Sequence, residues 1–599
     1  MSSAQLPAVA PEVTAALVEN LSPRLRKRLD AAVARLGSRP THRDGDTVTI
    51  AVDEETELRL HAPSGVVTTV DALTCGCLLA PACVHRAAAA CAAPAAAPQP
   101  ADEPLGAAAE EDSSSVPGPA PSPEAAGPAE CAAADALWAA GAAVLESGVD
   151  GAGAVTQAAL LRAAHTARLR HLPRAAGAAL SVVTLLRAAR AGDASYRTAA
   201  LVTALAELLG TAHRVRTASG AELAAVRGHA RRPYSPDGSL RLYGLFTEPV
   251  VTDSGHGGVR TWVAGTDGRL FTVGDVAPGG VGRAVGVADR AVRLGDTALT
   301  HRELGRAGLA VSAATVSPDG RLGAGKGVKA VAARGAAWTE PPLAALWETP
   351  PSEQAARALR FTSRRAHLDT GGSDLLFLDV ELLGAVREPG GTSLLARCEG
   401  GIPVRLTVAD DEPALAHRDN LMLLATAPGA RLRIIGRLVP APHPRLALLA
   451  CSHPTGEGTV DLGLDRLRRA DLPDQAGSAH LAPALPGDAA GHAPLYLLER
   501  RVEQALLAGR AALGMLGDVT AESRRIRRSG LPTAAGLLTA LCGAAAPRDR
   551  DHFGRLLPVD SDGFATHWLA SACYTAAVAE SLCAAGWETA RSGPAASAQ

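Results

Sequence analysis

Lysine is nearly missing from this chain. Lys27, Lys326 and Lys329 are three lysines among 59 basic residues, so arginine carries almost all the positive charge. An excess of alanine, glycine and arginine with so little lysine is what codon usage in a high-GC genome produces by itself. Arginine richness is therefore a weak sign of a nucleic-acid partner. A net charge is missing too: the formal value is −2, too small to draw the whole chain onto a polyanion. Aromatic residues make up 3%, which leaves small aliphatic side chains, alanine above all, to fill the cores. The longest apolar stretch, 175–186, contains Ser181 and Thr184 and is too short to span a bilayer. Residues 1–20 lack a basic start and a long apolar run. No export or membrane signal is expected, and the chain reads as soluble and cytoplasmic.

Catalytic motifs are missing as well. There is no nucleophile elbow, no HExxH and no paired CxxC. Gly320-Arg-Leu-Gly-Ala-Gly325-Lys326 matches the start of a phosphate loop, but Gly327 stands where Ser or Thr must hold Mg²⁺. Gly280-Val-Gly282-Arg-Ala-Val-Gly286 has dinucleotide-loop spacing, yet it follows Pro278-Gly279 rather than a recognisable buried strand. His301 and Glu303 lie two apart, which points them in different directions on a helix. The expectation is a protein that is not an enzyme and has no small-molecule substrate.

The chain does contain four metal-ligating side chains within eleven residues: Cys75-Gly-Cys77, five residues of spacing, then Cys83-Val-His85. Two thiolates one residue apart cannot both point inward from a helix, but they can from a turn curled around an ion. The second pair can close the tetrahedron from the first turn of a following helix. Three sulfurs and one imidazole nitrogen satisfy one structural Zn²⁺ at about 2.3 and 2.1 Å and leave no open position. Thr47–Val52 and Glu57–Ala62 alternate as half-buried strands, 66–70 is a third β-prone run, and the alanine run after His85 favours a helix. Of the remaining cysteines, Cys131, Cys398, Cys451, Cys542, Cys573 and Cys583 have no ligand spacing and read as buried thiols, while Cys91 falls six residues past a tetrahedron already full.

A CxC–CxH pattern on a strand–strand–helix frame resembles the SWIM-type zinc finger, and Cys75, Cys77, Cys83 and His85 match its four ligand positions. The match covers about residues 43–93, under a tenth of the chain. The helical, β-rich, helical order of the rest is similar to long actinobacterial proteins of the SWIM zinc finger family. The resemblance implies zinc binding, with DNA or protein contact by the finger, and brings no catalytic residue.

The predicted organisation is α+β and multidomain: N-terminal helices at 1–42, a small ββα-type zinc finger at 43–93 and a disordered linker at 94–129. A basic helical region at 130–232 and a β-rich mixed region at 233–350 follow. An OB-like barrel is expected at 373–455, then a linker at 456–491 and a C-terminal helical region at 492–590. Three strands, a helix and two strands in 374–453 carry the barrel reading, with Phe377 as its one strand aromatic. Helices on either side of Ser22-Pro23 are expected to bury Leu25, Leu29, Val33 and Leu36. Arg24, Arg26, Lys27 and Arg28, at a helix start that opposes such charge, together with Arg86 beside His85, are the candidate nucleic-acid contacts. A solvated face accounts for the same basic residues. The expected function is a zinc-binding adaptor docking onto nucleic acid, DNA above all; the alternative is a protein–protein scaffold serving a separate ATPase or other partner.

Overall fold

The computed structural model describes residues 6–96, 124–229, 234–363, 371–473 and 494–588, apart from 54, 195, 253–254, 326, 389–390, 516–517, 547–550, 556 and 558–559. Most of the predicted linker 94–129, half of the one at 456–491, and Lys326 lie outside the described residues. The molecule is α+β and multidomain with several sheets. It divides into two units, 1–231 with 491–575 and 232–490 with 576–599.

In the first unit, strands β1 (Thr41–Asp44), β2 (Thr47–Ala51), β3 (Glu57–His61) and β4 (Leu73–Cys75) form an antiparallel sheet in that order. The period-two pattern is met: Val48, Ile50, Leu58 and Leu60 are fully buried while their neighbours along the strand are not. The predicted third strand at 66–70 is not the one that joins this sheet. Val66–Val67 pairs in parallel with Ala8–Val9, and Leu73–Cys75 takes the place beside β3. Helices α1 (Pro11–Glu19), α2 (Pro23–Arg26), α3 (Leu29–Gly37) and α4 (Val84–Ala92) complete this part. The Ser22 hydroxyl accepts from the Leu25 N–H at 3.4 Å, so the expected cap is present. Leu29 and Leu36 are buried and Leu25 and Val33 half-buried, in one core with Ile50, Leu58, Leu60 and Ala87–Ala90.

Five further helices, α5 (Pro128–Gly151), α6 (Ala154–Leu169), α7 (Pro173–Ala191), α8 (Thr198–Val215) and α9 (Gly220–Arg227), share a core with helices from the far end of the sequence. Leu137, Leu145 and Leu205 meet Val502 and Leu506 from Tyr496–Gly514 and Phe564 and Trp568 from Ser561–Glu588. The expected stripe Leu497, Leu498, Val502 and Leu506 is buried throughout. Much of the arginine excess here is consumed internally. Arg174 pairs with Glu207 at 2.7 Å, Arg216 with Asp135 at 2.5 Å, and Arg227 with Glu124 and Glu130, both at 2.7 Å. By length and composition Ser561–Glu588, with mean hydropathy 1.2, could cross a membrane. Its Phe564 and Trp568 are fully buried in the core.

In the second unit, β5 (Ser235–Val251), β6 (His256–Gly265), β7 (Leu270–Pro278), β8 (Gly308–Val316) and β9 (Lys329–Ala333) form an antiparallel sheet ordered β9-β8-β5-β6-β7. The Gly280–Gly286 motif does follow a strand, since β7 leads directly into the helix Gly280–Val287. That strand is the edge of an antiparallel meander, however, and not part of a parallel βαβ unit, so the phosphate-binding geometry of the motif does not arise.

Strands β10 (Leu375–Glu388), β11 (Gly391–Cys398), β12 (Pro403–Val408), β13 (Arg431–Leu438) and β14 (Arg445–Ser452) follow, with the helix His417–Leu424 between β12 and β13. β10 pairs with β11 and β11 with β12; β12 pairs in parallel with β14, β14 with β13, and β13 with β10. Each strand thus has two neighbours, and the pairings return to their start. A short strand β15 (Thr459–Asp461) adds to β14. Of the six cysteines expected to be buried thiols, Cys398, Cys451 and Cys583 are buried, Cys131 and Cys542 are half-buried, and Cys573 is exposed.

Candidate metal centre

β4 ends on Cys75, which sits opposite Leu58 of β3, and the Gly76 N–H donates to the Glu57 carbonyl at 3.0 Å. The chain turns there, and the Ala80 N–H closes a second turn onto the Cys77 carbonyl at 3.0 Å. Cys83 is the N-cap of α4 and His85 lies in its first turn. Strand end, turn and helix start therefore bring the two pairs together. All four ligand atoms lie within 4.8 Å of one another, and Cys75 Sγ is 3.7 Å from His85 Nδ1. Bonds of about 2.3 Å to a tetrahedral ion would set two sulfurs roughly 3.8 Å apart, so the four donors fit one ion. Among the described residues this is the one group of His, Cys, Asp and Glu side chains with metal-ligand spacing.

The electrostatics agree with that fit. Without a cation, burial pushes the Cys75 thiol up to about 12, helped by the neighbouring Cys77 and Cys83 sulfurs. Cys83, 2% exposed, is raised mainly by burial, while the backbone N–H of Arg86 favours its thiolate. Packed thiolates repel, and a divalent cation at their centre removes the penalty.

Arg86, one of the expected nucleic-acid contacts, lies inside the fold. It is 4% exposed, and its guanidinium donates to the carbonyls of Leu73 and Pro81 at 2.6 Å each and of Val70 at 2.5 Å. It ties the strand before the cluster and the loop within it to the helix after it. Arg26 is likewise engaged, donating to the carbonyls of Leu21 at 3.0 Å and Glu19 at 2.5 Å at the end of α1. Arg24, Lys27 and Arg28 are exposed. The turn between the ligand pairs presents apolar side chains instead: Leu78 is fully exposed and Leu79 62% exposed. Sequence reasoning passed over these two leucines. The available signal was their position, five residues or fewer from a ligand on both sides, where neither helix nor strand periodicity could bury them.

No family model matches the chain, and no curated protein matches it. A solved structure described as "Molecular basis for abrogation of activation of pro-inflammatory cytokines" aligns with 35% of this chain and 87% of its own, at 12% identity and a TM-score of 0.15. A likeness that slight carries no argument about fold or function.

Proposed function

We propose that the protein is a zinc-binding, non-catalytic adaptor whose SWIM-like finger, residues 43–93, is its docking head. The observation that carries the reading is the convergence of Cys75, Cys77, Cys83 and His85 within 4.8 Å. Three thiolates and one imidazole favour zinc and leave no open coordination position, the arrangement of a structural ion. The ion pins a turn whose tip is Leu78 and Leu79, an apolar contact in search of a groove. That exposure, with Arg86 and Arg26 engaged internally, favours a protein partner over nucleic acid. The DNA reading retains Arg24, Lys27 and Arg28 as exposed cations. Free thiolates held for zinc suit a compartment that keeps cysteine reduced, as the cytoplasm does. We also read the closed pairing of β10–β14, with β12 and β14 parallel, as an OB-like barrel.

The two partner classes separate in one experiment. Fluorescence anisotropy is read with single- and double-stranded DNA at two salt concentrations, using the wild type and a Cys83→Ser/His85→Ala variant. In parallel, a photocrosslinking residue replaces Leu78. The protein reading expects no salt-steep DNA binding and discrete adducts at Leu78 that vanish when zinc is removed. DNA binding that falls steeply with salt and is lost in an Arg24→Ala/Lys27→Ala/Arg28→Ala variant would reverse the assignment.

A further inference from the structure

Leu78 and Leu79 do not stand alone at the metal end of the finger. The register Thr41–Ile50–Leu58–Cys75 runs straight across the sheet, so the turn between β2 and β3 lies at the same end as the cluster. That turn carries Asp53 and Glu55, both exposed. Asp53 accepts from the Glu55 N–H at 3.1 Å and the Thr56 N–H at 2.7 Å. Hydrogen bonds from Thr56 and Glu55 hold its carboxyl below the ordinary range, and His85 adds to them, which places the turn beside the cluster. Glu57 joins from β3: its carbonyl takes the Gly76 N–H at 3.0 Å, between the first two ligands. Asp71 is exposed too, next to Val70, whose carbonyl shares the Arg86 guanidinium with that of Pro81 in the ligand turn.

Few cations answer these carboxylates. Arg59 pairs with Glu57 at 2.9 Å, with both side chains more than half exposed, so the pair contributes little. Asp53, Glu55 and Asp71 have no ion pair among the described residues. Arg86 is spent inside the fold. Arg39 enters ahead of β1, at the opposite edge of the sheet from β4, and Arg24, Lys27 and Arg28 stand before α3, whose far end leads into β1. The metal end therefore presents two leucines inside an acidic border.

A phosphate backbone or an anionic bilayer would bring negative charge against Asp53 and Glu55. A neutral bilayer would take the leucines but pull the carboxylates toward lipid. A leucine on a short turn has the shape of a knob, and the apolar stripe of a helix offers holes bounded by four side chains. We propose that the zinc-held turn docks on a basic amphipathic helix of a partner protein. Leu78 and Leu79 sit in its apolar stripe, and Asp53 and Glu55 face its flanking lysines or arginines. The proposal rests on the reading of the finger as a docking head and names the partner surface that head fits.

Fluorescence anisotropy with the zinc-loaded full chain tests it, the probes being an amphipathic helical peptide of leucine and lysine and its glutamate counterpart. Co-sedimentation with phosphatidylcholine vesicles, with and without phosphatidylserine, runs alongside. The expected result is saturable binding of the lysine peptide, weakened by salt and at least tenfold tighter than that of the glutamate peptide. Leu78→Ser/Leu79→Ser should weaken it tenfold or more with zinc content unchanged. Asp53→Asn/Glu55→Gln should weaken it threefold or more and flatten its salt dependence. No preference for the lysine peptide, binding that both variants leave unchanged, or vesicle binding that is lost in Leu78→Ser/Leu79→Ser would each overturn the proposal. Zinc-dependent adducts at Leu78 without a preference for the lysine peptide would leave the docking head standing and remove this partner chemistry. If no such adduct forms, the docking-head reading itself falls.

Discussion

Arg86 holds the metal loop from inside. A guanidinium spent on three carbonyls from three segments cannot be replaced by a smaller or less directional group without leaving buried acceptors unpaired. Arg86→Ala is therefore expected to cost on the order of 3 kcal/mol and to speed zinc loss to a chelator, with Arg86→Lys recovering only part of it. Wild-type zinc retention in Arg86→Ala would contradict this. The sequence placed Arg86 beside a ligand, but not inside the core. Its helix is almost all alanine, and Ala87–Ala90 are all fully buried, so no alternation distinguished an inner face from an outer one. Asp461 is a second buried charge with a measurable consequence. It accepts from the Thr247 N–H at 3.1 Å, its other oxygen lacks a hydrogen bond, and burial raises its pKa to about 7. Its folded value lies above the unfolded one, so the folded state holds the extra proton between about pH 4 and 7, and stability falls as pH rises through that window. Asp461→Asn keeps an acceptor for Thr247 and should stabilise the protein at pH 8 by on the order of 3 kcal/mol, and far less at pH 4. Unfolding midpoints at the two pH values read the difference; an equal effect at both would refute it.

Among the elements, strands were the most legible. β2, β3 and the strands of the ring alternate or run apolar between turn residues, and a one-residue slip would turn each buried set to solvent. Their order along the chain also implied the helix now seen at His417–Leu424. The polar edge strand β1 carries no such pattern, since Thr41–Asp44 has no buried residue. Two glycines were equally silent. Gly148 in α5 and Gly509 in the helix Tyr496–Gly514 adopt φ of 68° and 81°, and there the two backbones meet. A Cβ on Gly148 would lie 2.5 Å from the Gly509 nitrogen. Gly148→Ala combines that clash with a left-handed backbone and should lower stability by about 3 kcal/mol or more in denaturant unfolding. Gly177→Ala, in α7 with open space around it, should instead raise stability by about 0.5–1 kcal/mol. A tolerated Gly148→Ala would contradict the close crossing.

At the scale of the whole molecule, the first unit joins residues 1–231 to 491–575, a discontinuity invisible in composition. Amphipathic helices reveal which face they bury but not what they bury it against, so the C-terminal helices read as a region of their own. The arginines of the basic helical region likewise find acidic partners far away along the chain, Arg216 with Asp135 and Arg227 with Glu124 and Glu130. If the metal is local in effect, stripping it should release hydrogen-exchange protection in 41–92 while the helices α5–α8 and the strand ring keep theirs. Loss of protection throughout would mean that the ion supports far more than its own module. The central claim, one structural ion on four named ligands, is tested most directly by X-ray absorption at the zinc edge of the purified full chain, with its metal content measured alongside. One zinc per chain, bonded to three sulfurs at about 2.3 Å and one nitrogen at about 2.1 Å and lost in Cys83→Ser/His85→Ala, is the predicted result. Substoichiometric metal, or a shell containing oxygen, would contradict it.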